Sequence, residues 1–415
     1  MSMLVTRLLR THWKLLLIGV AVLLNVVFVT VLVGGAAALL PEGEYTQSLE
    51  ELSQTSPTFE ALGKFFVRLA EDRGAVFAFE VLKRAPLPPG VDIHLLGHLV
   101  GDELYKQQGL DGMKFCTPDF RNACSHTVVI GALLEDGMAV FDQVHEVCKG
   151  APGGRGAYTM CFHGFGHGVL AYAEYDVPEA LQLCELVGTE AYNNREYAEC
   201  AGGLTMEMIS GVHDRDLWQK KKVIYMPDDD PLALCKNEAF TDEARDMCYG
   251  YITPQLFMAA GADLGNPDPA TFPDAFRFCN QLSVEDARAR AACFGGFGKE
   301  FVVLAQDRDI RKTADMTDAQ LTRVHEWCAY AGDSDGRSVC ERHALGSLYW
   351  GGENDPDVSI RFCTTMSGMN AVQECVATLT SHVGYYVSDP EYRAQFCAAL
   401  PESLTSQCEE DLRGA

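Results

Sequence analysis

Apolar positions recur at three- and four-residue spacing along most of the chain, the period of helices with one buried face. Phe59, Leu62, Phe65, Phe66 and Leu69 set this pattern, the run Val76 to Leu82 resumes it after Gly74, and Pro86, Pro88, Pro89 and Gly90 end it. Asp92 is the expected cap of the next helix, Ile93 to Gln107, which Gly109 interrupts. Further on, short apolar runs opening with Asp-Pro pairs (Asp230-Pro231, Asp355-Pro356, Asp389-Pro390) predict first helices. Polar approaches such as 286–292, leading into glycine-containing apolar stretches such as Phe294 to Leu304, predict second ones.

One apolar run is of another kind. Leu15 to Val33 carries no charge, and nineteen residues at about 1.5 Å each cover roughly the ~30 Å hydrocarbon core of a bilayer. Arg7, Arg10, His12 and Lys14 precede it, which predicts a signal-anchor transmembrane helix within residues 1–40. The amino terminus would stay cytoplasmic and everything after Pro41 would be periplasmic or extracellular, a single-pass membrane protein held by its amino-terminal helix. A cleaved signal ending near Ala36-Ala37-Ala38 is the rival reading.

The cysteines sharpen the helical pattern into a repeat. All sixteen lie beyond the anchor, and their separations alternate strictly between short, 8 to 16 residues, and long, 22 to 35. The short intervals are Cys116 to Cys124, Cys148 to Cys161, Cys184 to Cys200, Cys235 to Cys248, Cys279 to Cys293, Cys328 to Cys340, Cys363 to Cys375 and Cys397 to Cys408. An even number in an exported segment, with no Cys-x-x-Cys, predicts one disulfide per short interval. Each would staple two helices at their corner and contribute about 3 kcal/mol in chain-entropy models. Second cysteines follow one another at 33 to 48 residues, the period of two-helix repeats, with 214–230 and 266–273 as loop insertions.

The expected fold is therefore all-α, an αα-hairpin repeat array (solenoid or superhelix) stapled by disulfides. Residues 1–40 form the stub and anchor, 41–90 a helical linker and amino-terminal cap, and 91–415 the repeat ectodomain. The architecture resembles cysteine-stapled two-helix repeat proteins of the Sel1-like and tetratricopeptide-like kind. Those repeats keep more constant lengths and tighter cysteine spacing, so the resemblance carries no residue role and no activity.

Charge narrows the partners. The net charge of -25 includes three basic and no acidic residues in the first forty, leaving close to -28 on the remainder. Such a surface repels nucleic acid phosphates.

Candidate chemistry collects where the second helices of consecutive repeats begin. His94, His126 and His163 fall at one register in three units, and His98 aligns with His167. His94/His98 and His163/His167 are each four apart, which puts both rings of a pair on one helix face. Neutral imidazoles so placed suit zinc, copper or iron, and Asp102, Glu103 and Glu135 lie one turn further on to complete or orient the shell. The competing reading gives these rings a structural role at a crowded, glycine-lined corner. His145 and His325, each in Val-His-Glu-x-Cys, read as helix C-terminal charges, and His213, His343 and His382 have no nameable partner. The glycines of 161–168 and 293–299 read as close helix packing, since neither run fits a phosphate-binding spacing.

Two functions follow. One is a binding or assembly scaffold that engages a protein or small ligand on its repeat face. The other is a metalloprotein, an oxidase or hydrolase, with His94, His98, His126, His163 and His167 as ligands.

Overall fold

The structure, a computed structural model, describes residues 42–413 except Asp333, Gly352 and Glu353. The expected anchor within residues 1–40, and its signal-peptide rival, lie outside the described residues. The chain divides into two compact units between Gln54 and Thr55. In the first, the described element is α1 (Glu42–Ser53).

The second unit opens with α2 (Phe59–Arg73), α3 (Ala75–Arg84) and α4 (Ile93–Gln108). Thr58 caps α2 through the Ala61 amide, Gly74 turns the chain at φ 93°, and Asp92 caps α4 through the Leu95 amide. There follow α5 (Asp119–Asp136), α6 (Val144–Lys149), α7 (Gly154–Tyr172), α8 (Val177–Glu185), α9 (Arg195–Ser210), α10 (Arg215–Tyr225), α11 (Asp242–Tyr251) and α12 (Thr253–Ala259). The remainder comprises α13 (Phe272–Asn280), α14 (Ala287–Ala305), α15 (Asp318–Cys328), α16 (Ser334–Gly351), α17 (Pro356–Thr364), α18 (Met369–Tyr386), α19 (Pro390–Ala399) and α20 (Glu402–Arg413). Among the described residues there is no strand.

Eight disulfides join the two cysteines of each short interval, from Cys116–Cys124 to Cys397–Cys408, with Cα atoms 5.4 to 5.6 Å apart. No cysteine is free. Bridges in such number belong to an oxidising compartment.

Two local expectations are corrected. Asp230-Pro231 opens no α-helix: Asp230 accepts from the Leu232 amide and Lys236, and 231–236 closes as turns, too short to nucleate. The insertion 214–230 is not a bare loop, because Asp214 caps α10. That helix is polar nearly all round and buries only Trp218, whose indole donates to the Met208 carbonyl at 2.7 Å, so it lacks an apolar stripe.

The long helices α4, α5, α7, α9, α11, α14 and α16 pack side by side in chain order. Glycine lets them approach. A Cβ on Gly164 of α7 would stand 2.4 Å from His126 Cα on α5, and one on Gly203 of α9 would stand 1.8 Å from the His163 carbonyl oxygen. The glycine runs thus serve packing, as their spacing implies. One of these helices, extended as 119–140, is long and apolar enough to cross a membrane, yet 61% of its apolar window is buried inside the protein, so it is a core helix.

Early and late helices then meet across the unit. Arg308 pairs with Asp92, the Gly90 amide donates to the Asp307 carbonyl (2.9 Å), Arg121 donates to Ser347 Oγ (3.0 Å), and Arg155 stacks over Tyr385. Between them lies a half-open cavity of about 660 Å³.

Candidate metal centre

The cavity wall is built at the start of α4 and in the middle of α5 and α7, and the expected register brings their histidines together. His94 and His98 lie one turn apart on α4 with ring centroids 4.5 Å apart; His126 on α5 stands 5.5 Å from His94 and 5.6 Å from His98. One ring nitrogen from each of the three lies within 4.8 Å of the others, so this buried group could hold a metal ion. His163 and His167 on α7 extend the cluster, 5.6 Å from His126 and 5.8 Å from His98 respectively.

The hydrogen bonds of these rings are what distinguish them from packed core histidines. His94 Nδ1 faces the Phe120 carbonyl at 2.6 Å, so Nδ1 carries the proton and Nε2 keeps its lone pair. His98 is 2% exposed and His126 1%; neither nitrogen of His98 has a hydrogen-bond partner, and His126 has only a weak contact with the Met160 carbonyl. An unsatisfied buried polar group costs about 1–3 kcal/mol. The two rings meet edge-on, 5.6 Å apart at 79°.

His167 shows the complementary arrangement. Its Nδ1 meets Glu207 Oε2 at 3.2 Å while Nε2 is buried without a partner. Glu207, fully buried, also takes His213 Nδ1 (2.8 Å) and the Tyr175 hydroxyl (2.6 Å). His163 points elsewhere: Nε2 lies 3.2 Å from the Met206 sulfur and Nδ1 faces Glu199 Oε2 at 3.8 Å.

Burial sets the protonation of the cluster. It pushes His98 well below the ordinary imidazole range, with the neighbouring histidines adding to it, and does the same to His126, where the Met160 carbonyl opposes it in small part. His163 is likewise well below, and His94 and His167 are lowered by burial against the pull of Asp92 and Glu207. Burial works against charge on His213 as well, but Glu207 outweighs it and raises that ring. Burial would raise the Glu207 carboxyl, and His167 and His213 hold it far below the carboxylate range. The result is neutral imidazoles at the centre and a proton-rich Glu207–His213 pair behind them.

The expected carboxylates do not join. Glu103 pairs with Lys106 and Glu135 accepts from the Tyr105 hydroxyl at 2.8 Å, both turned away because one helical turn carries them past the corner. Asp102 is pushed up to about 6 by burial, with His213 as its nearest opposing charge. His145 and His325 are not helix-end charges facing solvent: His145 meets the Tyr158 hydroxyl (3.1 Å), and His325 sits between Glu341 (3.2 Å) and the Phe362 carbonyl (3.0 Å). His145 ties the two helices of its own pair, and His325 ties one pair to the next.

The turn that supplies the Phe120 carbonyl is strained. Phe120, Arg121 and Asn122 have φ of 56°, 56° and 63°, a left-handed run without glycine costing on the order of 1 kcal/mol or more per residue. It aims the carbonyl at His94 and the Arg121 side chain into the cavity.

Comparison with protein-family models, curated proteins and solved structures finds no match. The functional reading therefore rests on the cluster and the cavity alone. Residues that sequence reasoning passed over are Glu207 and His213 behind the cluster, and Arg121, Arg195, Lys299, Arg308 and Arg342 in the cavity wall.

Proposed function

We propose that the protein is an exported metalloprotein in which His94, His98 and His126, with His167 beside them, hold a transition metal at the wall of a half-open cavity. We read the ectodomain as a row of stapled αα-hairpins that curls around this cavity, tethered to the membrane by the helix expected within residues 1–40. A metal held by nitrogen ligands with one open position activates water, so hydrolytic chemistry is the reading we favour over oxidase chemistry. The observation that carries it is the pair of buried, unpartnered nitrogens on His98, in a group where one ring nitrogen each of His94, His98 and His126 lies within 4.8 Å of the others. A structural role for the rings would have given those nitrogens carbonyls or hydroxyls, as His325 has.

Zinc, copper and iron all suit neutral imidazoles. Elemental analysis of the purified chain, before and after incubation with each, should find about one metal per chain in wild type and none in H98A/H126A. Absence of stoichiometric metal under every condition would return the protein to the binding-scaffold reading.

A further inference from the structure

The chain is strongly acidic, yet the wall of its cavity is not. Arg121, Arg195, Lys299, Arg308 and Arg342 face it together with three carboxylates, Asp92, Glu199 and Glu300, which leaves two positive charges uncompensated. Arg308 is matched by Asp92 and Arg195 by Glu199. Lys299 lies 4.0 Å from Glu300, and its ammonium rests 3.4 Å from the centre of the Tyr251 ring. Arg121 has no carboxylate in ion-pair range among the described residues, donates only to Ser347, and keeps Nε buried without a partner. Arg342 has no ion pair among the described residues either, although it shares the cavity with them.

Arg342 is exposed and Arg121 half-buried; a cation partly removed from water without a counter-ion, as Arg121 is, is costly, and a fold keeps it where a ligand supplies the missing charge. The backbone points the same way. Arg121 and Arg308 are themselves in the left-handed region, and Arg195 directly follows left-handed Asn193 and Asn194, none of them glycine. Three of the five cations are thus delivered to the cavity by strained turns. Burial lowers the Lys299 ammonium to about 8, and Glu300, 4.0 Å away, only partly opposes it.

Met160, Met206, Val303, Ile310 and Trp350 give the wall an apolar part, beside polar Asn122, Thr159, Ser347 and Thr378. The volume is that of a small-molecule site, and guanidinium groups match phosphate and carboxylate oxygens in pairs.

We infer that the cavity binds a small organic oxyanion with two negative charges and an apolar body, a phosphate monoester or a dicarboxylate, held by Arg121, Lys299 and Arg342 beside the histidine cluster. This deepens the proposed function by naming the class of molecule handled at that site, and it rests on the cavity's charge, not on the metal.

The test is calorimetric titration of the full-length chain, stripped with chelator, using phenyl phosphate, phthalate and neutral benzyl alcohol. Saturable one-to-one binding of at least one dianion is expected, with benzyl alcohol weaker by about tenfold or more. Arg121→Gln and Arg342→Gln should each weaken the dianion by about tenfold or more, and Arg277→Gln, an exposed residue outside the cavity, should not. If Arg121→Gln fails to fold, Arg342→Gln decides alone. No saturable binding of either dianion, equal binding of benzyl alcohol, or binding unchanged in the two cavity variants would overturn the proposal. Because the protein is metal-free throughout, failure here leaves the metal stoichiometry standing, and failure of the metal reading leaves this result standing.

Discussion

His167 Nδ1 rests 3.2 Å from Glu207 Oε2, and the opposite nitrogen of the same ring, buried, has no partner. A carboxylate that fixes one imidazole nitrogen orients the other toward a metal and raises its basicity. Glu207→Gln should therefore lower metal affinity by about 10- to 100-fold while leaving the other ligands in place. Competition against a chelator of known affinity reads this directly, and an unchanged affinity would confine Glu207 to a structural role.

The unpartnered rings make a prediction of opposite sign for the metal-free protein. His98 carries two unsatisfied nitrogens in a dry site, and an apolar side chain of similar bulk removes that penalty. His98→Leu should stabilise the chelated chain by about 1 kcal/mol or more and abolish metal binding. Denaturant unfolding with and without metal measures both. A variant less stable than wild type in chelator would mean that His98 has partners in solution.

The staples separate local from site-directed effects. Cys148–Cys161 fixes the middle of α7, two residues before His163 and six before His167, whereas Cys397–Cys408 closes the last helix pair. Removing either should cost about 3 kcal/mol or somewhat less. Only loss of the first should weaken metal binding, by thermal unfolding and elemental analysis of C148A/C161A against C397A/C408A.

Helical class, disulfide pairing and the histidine group were legible because each is written at short range. Strict alternation of intervals pairs neighbours, and His126 and His163 each stand two residues after the second cysteine of a pair, the register that His94 repeats after Asp92. The cavity cations were within reach of the same alignment: Arg342 lies two residues after Cys340, as His126 and His163 do after their cysteines, and Lys299 six after Cys293, where His167 stands in its own unit. Following only histidine hid them. The closure was not legible at all. Arg308 and Asp92 are 216 residues apart, and no local pattern specifies that they meet. Left-handed turns at Phe120 and Arg308 escaped for a related reason, since tertiary contacts impose them on residues with no intrinsic preference for that conformation.

Acid should loosen the later helices through Glu341. Burial would raise its carboxyl, but His325 and Arg337 outweigh that and hold it below the ordinary value of 4.5. The folded protein therefore takes up this proton at lower pH than the unfolded chain does. The contribution is fully present above about 4.5 and is lost as pH falls through the folded value. Glu341→Gln should be less stable than wild type at pH 6, by about 1 kcal/mol, with the gap closing toward pH 3. A constant gap across that range would assign the effect to packing.

Arg311 offers the sharpest test of closure. Its guanidinium donates to the carbonyls of Leu82 (3.0 Å) and Ala85 (2.7 Å) at the end of α3, while Asp309 (2.7 Å) holds it in position. Those carbonyls belong to the last turn of a helix, which has no intrahelical donors for them. Arg311→Ala should thus remove both the cap and the tie between 82–92 and 306–312, costing about 1–3 kcal/mol. Amide exchange should quicken at Gly90, whose N–H donates to the Asp307 carbonyl across the same junction. A lysine there keeps the charge but not the fork that reaches both carbonyls at once, so Arg311→Lys should recover only part of the protection. Exchange at Gly90 as slow in Arg311→Ala as in wild type would show that the Asp92–Arg308 pair holds the ends together unaided.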